Sequence, residues 1–340
     1  MTLDNDSPQV VDTDAQKVIQ PGKTVKLRTV LLIASAIVIS AVIIFAVLIF
    51  MTRAPKQPGG TATDDSIPAF NFCIYEGKNK LKHPIALISD ENGRIYVSNN
   101  DVHTVEVFAA NGEPDFSFGG LGQAGGQFTF PYGIGMLPDG NILVAETGNY
   151  RIQELTADGK YIRTFVDNNN RIGLQKPGPL YVDSKGLIYV GDLSGQQVLV
   201  LKQDGTVLRR FGGILYPHGI AVDEARQRLY IGDGANNCIN VYSLKNGSDI
   251  PVKVIGGPTP EVAFSMVRGL ALDESGRLFV VDTLKSTIEV FDQDGNFIFS
   301  LGAKGQDDGE FLYPYGIASD KNGKIYVADW GNNRVQVWSY

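Results

Sequence analysis

Hydrophobic and polar positions divide the chain into two unlike parts. From Thr29 to Thr52 no residue carries a charge, and the stretch VLLIASAIVISAVIIFAVLIFM from Val30 to Met51 is apolar almost throughout. Its 22 residues span about 33 Å at the helical rise, which matches a hydrocarbon layer of about 30 Å. A cleaved leader has a shorter apolar core and ends at a small-x-small site, whereas this run continues into Met51-Thr52-Arg53. The pattern predicts an uncleaved transmembrane helix over residues 29–52.

Beyond it the chain is written in short apolar runs that recur. A Pro-centred segment appears as HPIAL at Pro84, PYGIG at Pro131, PGPLY at Pro177, PHGIA at Pro217 and PYGIA at Pro314, with VRGLA at Val267 in the same phase; the steps are 47, 46, 40, 50 and 47 residues. A second apolar run follows each anchor, after a turn glycine in five of the six repeats, as in RIYVSN, NILVAE and KIYVAD. A third run, such as TVEVF or RVQVW, leads into Asn111-Gly112, Asp158-Gly159, Asp204-Gly205, Asn246-Gly247 or Asp294-Gly295, pairs that predict two-residue type I′ hairpins. A fourth run closes the unit. Four strands at this period make a propeller blade, because one such sheet buries its two faces only between neighbours in a ring.

The sixth repeat stops at Tyr340, after its third strand, while FNFCIY at Phe70 to Tyr75 resembles FIFSL at Phe297 to Leu301. This N-terminal strand is therefore expected to complete the last blade, which removes the open edges. The motifs closely resemble NHL repeats: P-x-G-[IL], the [IV]-Y-V-x-D strand, the N-x-R turn of GNYRI and GNNRV, and the connectors FGGLGQAGGQFTFP and LGAKGQDDGEFLYP. That resemblance covers residues 68–340 and implies an all-β fold, a six-bladed β-propeller of NHL repeats preceded by a single transmembrane helix.

Charge sets the expected topology. Lys17, Lys23, Lys26 and Arg28 precede the apolar run and only Arg53 and Lys56 follow closely, so the N-terminus is expected in the cytoplasm and the propeller outside it. Residues 1–28 then form a short cytoplasmic tail and residues 53–67, rich in Pro, Gly and Thr, a flexible linker. Residues 68–340 hold 24 Lys and Arg against 31 Asp and Glu, a net of −7 that opposes attraction to phosphate and excludes nucleic acid as the expected partner. Cys73 and Cys238 lack any C-x-x-C context and read as packing residues, with a bridge between them left open.

Candidate chemistry lies where equivalent repeat positions stop being equivalent. The resemblance places the residue after each anchor, Ile85, Tyr132, Gly178, His218, Arg268 and Tyr315, near the channel mouth. Tyr132, His218, Arg268 and Tyr315 offer aromatic faces, an imidazole and a fork of donors suited to an anionic or peptide-like ligand. They are the expected ligand-binding set, with Arg151, Trp330 and Arg334 as secondary residues of that face; the alternative reading is that the four fill the end of the channel and bond to one another. The strand-two ends Asn99, Glu146, Asp192, Asp233, Asp282 and Asp329 recur so regularly that they are expected to accept hydrogen bonds from the turn that follows. His83, His103 and His218 fall at three unlike blade positions, so no metal site, cofactor or catalytic residue is assigned. The expected function is a membrane-anchored extracytoplasmic module that binds a protein, peptide or glycan of the cell envelope, or scaffolds an assembly there. The alternative, implied by similar propeller lyases and lactonase-like hydrolases, is a metal-dependent enzyme.

Overall fold

The computed structural model describes residues 67–167, 169, 171–257 and 262–340. The tail at 1–28 and the transmembrane helix expected at 29–52 lie outside the described residues, as does the linker apart from its last position. Among the described residues, no helix is long and apolar enough to cross a membrane.

Six four-stranded antiparallel sheets follow one another along the chain. Blade 1 consists of Pro84–Ser89, Ile95–Asn99, Thr104–Phe108 and Pro114–Gly119, and blades 2 to 5 repeat this order from first strands at Pro131–Met136, Pro177–Val182, Pro217–Asp223 and Val267–Leu272. Blade 6 takes Ile317–Ser319, Lys324–Asp329 and Arg334–Ser339 from the C-terminus and its outer strand, Ala69–Ile74, from the other end of the domain. Phe70 pairs with Trp338 and Ile74 with Val335 across that seam.

Burial explains the hydrophobic patterns. Second strands such as Ile95–Asn99 and Ile142–Glu146 are buried at every residue, which their near-continuous apolar runs require. Outer strands such as Pro114–Gly119 remain partly exposed. Six apolar clusters hold the ring, one in each wedge between neighbouring blades. The residue three before each anchor drops into a wedge: Leu81, Phe128, Leu174, Ile214, Phe264 and Phe311 are all buried there.

The outer hairpins differ from the expected type I′. Of each Asn-Gly or Asp-Gly pair only the glycine has positive φ. In four blades the glycine N–H instead closes a turn onto the residue three back, as Gly112 does to the Ala109 carbonyl at 2.9 Å and Gly205 to Lys202 at 2.9 Å. The register slips one residue at the same place, for example between Val107 and Phe108. This is a type I turn with a G1 bulge, and the Asn111 and Asp204 side chains support it by accepting the N–H two residues on.

First strands meet across the channel backbone to backbone. A Cβ on Gly219 would lie 2.1 Å from the Arg268 carbonyl oxygen, one on Gly133 2.2 Å from that of Gly178, and one on Gly316 2.2 Å from that of Ile85. The glycine of each P-x-G is thus demanded by the next blade. Gly219→Ala should cost about 2–3 kcal/mol of unfolding free energy, since backbone cannot move aside cheaply. Gly212→Ala, with open space around it, should change it by less than about 0.5 kcal/mol. Urea unfolding of both variants checks the contrast; equal effects would contradict it.

Candidate functional site

Each first strand carries a bulge next to its anchor. The ladder with the second strand slips between Pro84 and Leu87, Pro131 and Ile134, Pro177 and Leu180, Pro217 and Gly219, and Val267 and Leu270. In blade 6, Ala328 pairs with both Tyr315 and Gly316. Such a bulge re-aims the side chain of the residue it contains, here the one after the anchor. Ile85, Tyr132, His218, Arg268 and Tyr315 line the channel as a result. At the sixth position Gly178 offers no side chain, and Leu193 packs against its Cα instead.

Tyr132, His218, Arg268 and Tyr315 meet in one hydrogen-bonded cluster drawn from blades 2, 4, 5 and 6. Tyr132 Oη lies 2.7 Å from His218 Nδ1 and 2.8 Å from Tyr315 Oη. Arg268 Nη1 donates to Tyr315 Oη and sits 3.1 and 2.9 Å from the two His218 ring nitrogens. An in-plane approach equidistant from both nitrogens would strike Cε1, so Nη1 lies over the imidazole face. The guanidinium also covers the Tyr315 ring, 4.4 Å from its centroid.

The guanidinium only donates, so Tyr315 Oη accepts from it and keeps its own proton for a further bond. With Tyr315 donating to Tyr132 and Tyr132 to His218 Nδ1, the ring proton sits on Nε2; with that order reversed it sits on Nδ1 and His218 donates to Tyr132. Burial, together with the Arg268 charge, pushes the His218 imidazole down to about 3, so it is neutral. Burial likewise holds both tyrosine hydroxyls above their usual value.

Above this floor opens a pocket of about 760 Å³. Phe130 and Tyr216, the residues just before two anchors, stand in its wall 44% and 58% exposed, and Tyr216 lies parallel to His218 at 6.1 Å. Both have positive φ, as do the equivalent His83 and Tyr313. Bulky residues hold that conformation only where their surroundings enforce it. The Phe130 N–H donates to His103 Nδ1 at 3.1 Å, the His83 N–H to Asn333 Oδ1 at 2.9 Å and the Tyr313 N–H to Ser286 Oγ at 3.3 Å, each acceptor belonging to the preceding blade. Sequence reasoning passed over this collar because it looked one position too late; four aromatic rings immediately before the anchors were the available signal.

The secondary residues are placed otherwise. Arg151 donates to Glu146 and to the carbonyls of Gln123, Ala124 and Gln127, and Arg334 binds Asp329 and the carbonyls of Asp307 and Glu310, so both clamp connectors between blades. Trp330 stacks on the collar residue His83 at 3.9 Å. The strand-two ends reach both ways: Asn99, Glu146, Asp192, Asp282 and Asp329 accept from N–H groups of the connector entering their own blade, Glu146, Asp192, Asp282 and Asp329 also accept from the turn that follows, and Asp233 bonds only to that turn. Both cysteines are free. Among the described residues, no three His, Cys, Asp or Glu side chains are grouped to hold a metal ion.

A family model described as a 6-bladed beta-propeller matches residues 262–340. NHL repeat-containing protein 3 of Mus musculus is 29% identical over 173 residues, which cover 46% of this chain and 50% of that protein. The chain is a six-bladed propeller of NHL-type repeats. It spans about half the length, or less, of the curated relatives it matches first. Among solved structures, a virginiamycin B lyase from Staphylococcus aureus with quinupristin superposes with a TM-score of 0.57 at 18% identity, over 78% of this chain and 83% of that one. A chain of a nidogen/laminin complex does so at 0.56 and 16%, over 70% and 85%. At such identities the likeness of the propellers is one of fold alone.

Tyr132→Phe tests the cluster within this propeller. It removes the hydroxyl that bonds both His218 Nδ1 and Tyr315 Oη, and should cost about 1–3 kcal/mol in urea unfolding. A change below about 0.5 kcal/mol, the range of an ordinary surface substitution, would contradict the bond network.

Proposed function

We propose that this propeller is an extracytoplasmic binding module, held to the membrane by residues 29–52, that engages a protein, peptide or glycan of the cell envelope on the face where Tyr132, His218, Arg268 and Tyr315 floor the channel mouth. The observation that carries the reading is the pocket itself: a preorganised polar floor of two tyrosines, a histidine and an arginine under partly exposed aromatic rings held in a constrained backbone. Rigid aromatic groups around a few placed polar atoms are what a binding site requires, since little side-chain freedom is lost on contact.

Further support comes from charge and from the relatives. The uncharged run at 29–52 and the basic residues before it favour an anchored chain with its propeller outside. The acidic domain opposes nucleic acid. The nidogen/laminin complex shows that a propeller of this shape occurs in a protein–protein assembly.

A photo-crosslinking residue placed at Tyr216 in the full chain, in intact cells, should join it to a discrete partner. The same residue at Asn322, which lines the opposite end of the channel, should not. Crosslinking from Asn322 and none from Tyr216 would assign the wrong face, and release of the chain from membranes by alkaline carbonate would overturn the anchor.

A further inference from the structure

The channel is electrically lopsided. Its pocket near Tyr216 is lined by Arg268 and Lys176 and by no Asp or Glu, in a domain whose formal charge is −7. The cavity toward the other end is lined by nine carboxylates, Asp90, Asp139, Asp183 and Asp320 among them, with three Arg and Lys residues. The potential therefore rises along the axis toward the Tyr216 end, and an anion reaching the channel is steered there.

Arg268 is the more informative of the two cations. Its Nη1 is committed to Tyr315 and to the face of His218. The opposite edge, formed by Nε and Nη2, presents two parallel N–H directions that match the two oxygens of a carboxylate. Nε is buried without a hydrogen-bond partner, and Nη2 meets only the Met266 thioether sulfur at 3.3 Å. No ion pair among the described residues includes Arg268. A guanidinium whose direct contacts are all neutral, the nearby Asp282 being engaged by the Ser265 and Met266 N–H groups and not by Arg268, keeps an unused bidentate edge that an incoming anion can fill. Thioether sulfur is a weak acceptor on a side chain with three rotatable bonds, so it yields readily to a better one.

We propose that the pocket is a carboxylate site: the Nε and Nη2 edge of Arg268 takes the carboxylate of a ligand in place of the Met266 thioether, Lys176 adds charge from the same wall, and Tyr216 covers the ligand's apolar portion. This rests on the reading of that end of the channel as the binding face and names the chemistry it selects. One free guanidinium edge matches a monoanion better than a phosphate dianion, which needs more donors. A carboxylate on an apolar group occurs both in free organic acids and at the C-terminus of a polypeptide, so the shared feature is what the site reads.

Isothermal calorimetry on the purified full-length chain tests this with 3-phenylpropanoate, its uncharged amide 3-phenylpropanamide, and acetyl-Gly-Gly-Phe with a free or an amidated C-terminus. Each acid should bind about tenfold or more tightly than its amide, the loss of a charge-assisted pair. Tighter binding of the peptide acid assigns a polypeptide terminus, and tighter binding of 3-phenylpropanoate a free organic acid. Arg268→Gln should abolish the preference for acid over amide, with folding checked by circular dichroism; Met266→Ala, which clears the edge without touching the charge, should retain or strengthen it. Equal binding of acid and amide, an unchanged preference in Arg268→Gln, or no binding of either acid at 10 mM (about −2.7 kcal/mol at the 1 M standard state) would overturn the proposal. Crosslinking from Tyr216 that persists without any carboxylate preference would sink this inference and leave the binding face standing; the reverse outcome would sink the face and not the chemistry.

Discussion

The close approach of first strands around the channel is the constraint on which the molecule depends. Where a Cβ on Gly133, Gly219, Gly269 or Gly316 would stand, a backbone atom of the next blade already lies within 2.7 Å. No residue but glycine permits that approach, and without it the inner edges of the blades would splay and the wedges between them would lose their packing. The six apolar clusters then act as a closed series. Each blade is covered on both faces only because the strand Ala69–Ile74 has joined the last one.

The same constraint makes the channel mouth possible. Because the first strands are locked and bulged at equivalent places, side chains separated by up to 183 residues converge on points less than 3 Å apart. The cluster floors the pocket with groups of fixed orientation, and its single charge is one the surrounding protein leaves uncompensated. The collar above adds a second kind of constraint: four non-glycine residues with positive φ, each costing of order 1 kcal/mol, precede an anchor proline, and three of them, His83, Phe130 and Tyr313, are latched to the preceding blade. Tolerated strain and uncompensated charge coincide at one end of the channel, which separates that end from the opposite rim, where Asp90, Asp183 and Asp320 are occupied in capping their own turns.

Much of this was legible in the residues, for reasons that can be named. The anchors show because P-x-G answers a contact that recurs in the ring, and the second strands show because burial on both faces demands apolar runs. Tyr132, His218, Arg268 and Tyr315 could be picked out as the unlike members of a like series, though nothing in their spacing revealed the order of their hydrogen bonds. The hairpins were harder: Asn-Gly and Asp-Gly serve type I′ turns and G1 bulges alike, and strand register, invisible locally, decides between them. Asp192 and Asp282 were expected to look forward, and they do accept from the turn that follows, but they also hold the connector behind them, a contact about 16 residues away in sequence. Arg151 and Arg334 were expected as secondary residues of the binding face; that they also hold connector carbonyls could not be seen from their own turns, because those carbonyls come from a different blade connection.

The state of His218 reports most directly on whether the four side chains meet as described. Nitrogen-15 NMR of the imidazole, titrated from pH 8 to pH 4 and assigned among the chain's three histidines, reads both protonation and tautomer. The account requires a neutral ring throughout that range, with Nδ1 hydrogen-bonded to Tyr132, and the tautomer then reads the order of the bonds. A ring that gains its second proton near the ordinary midpoint of about 6.5 would show that burial and the Arg268 charge are not as the structure has them.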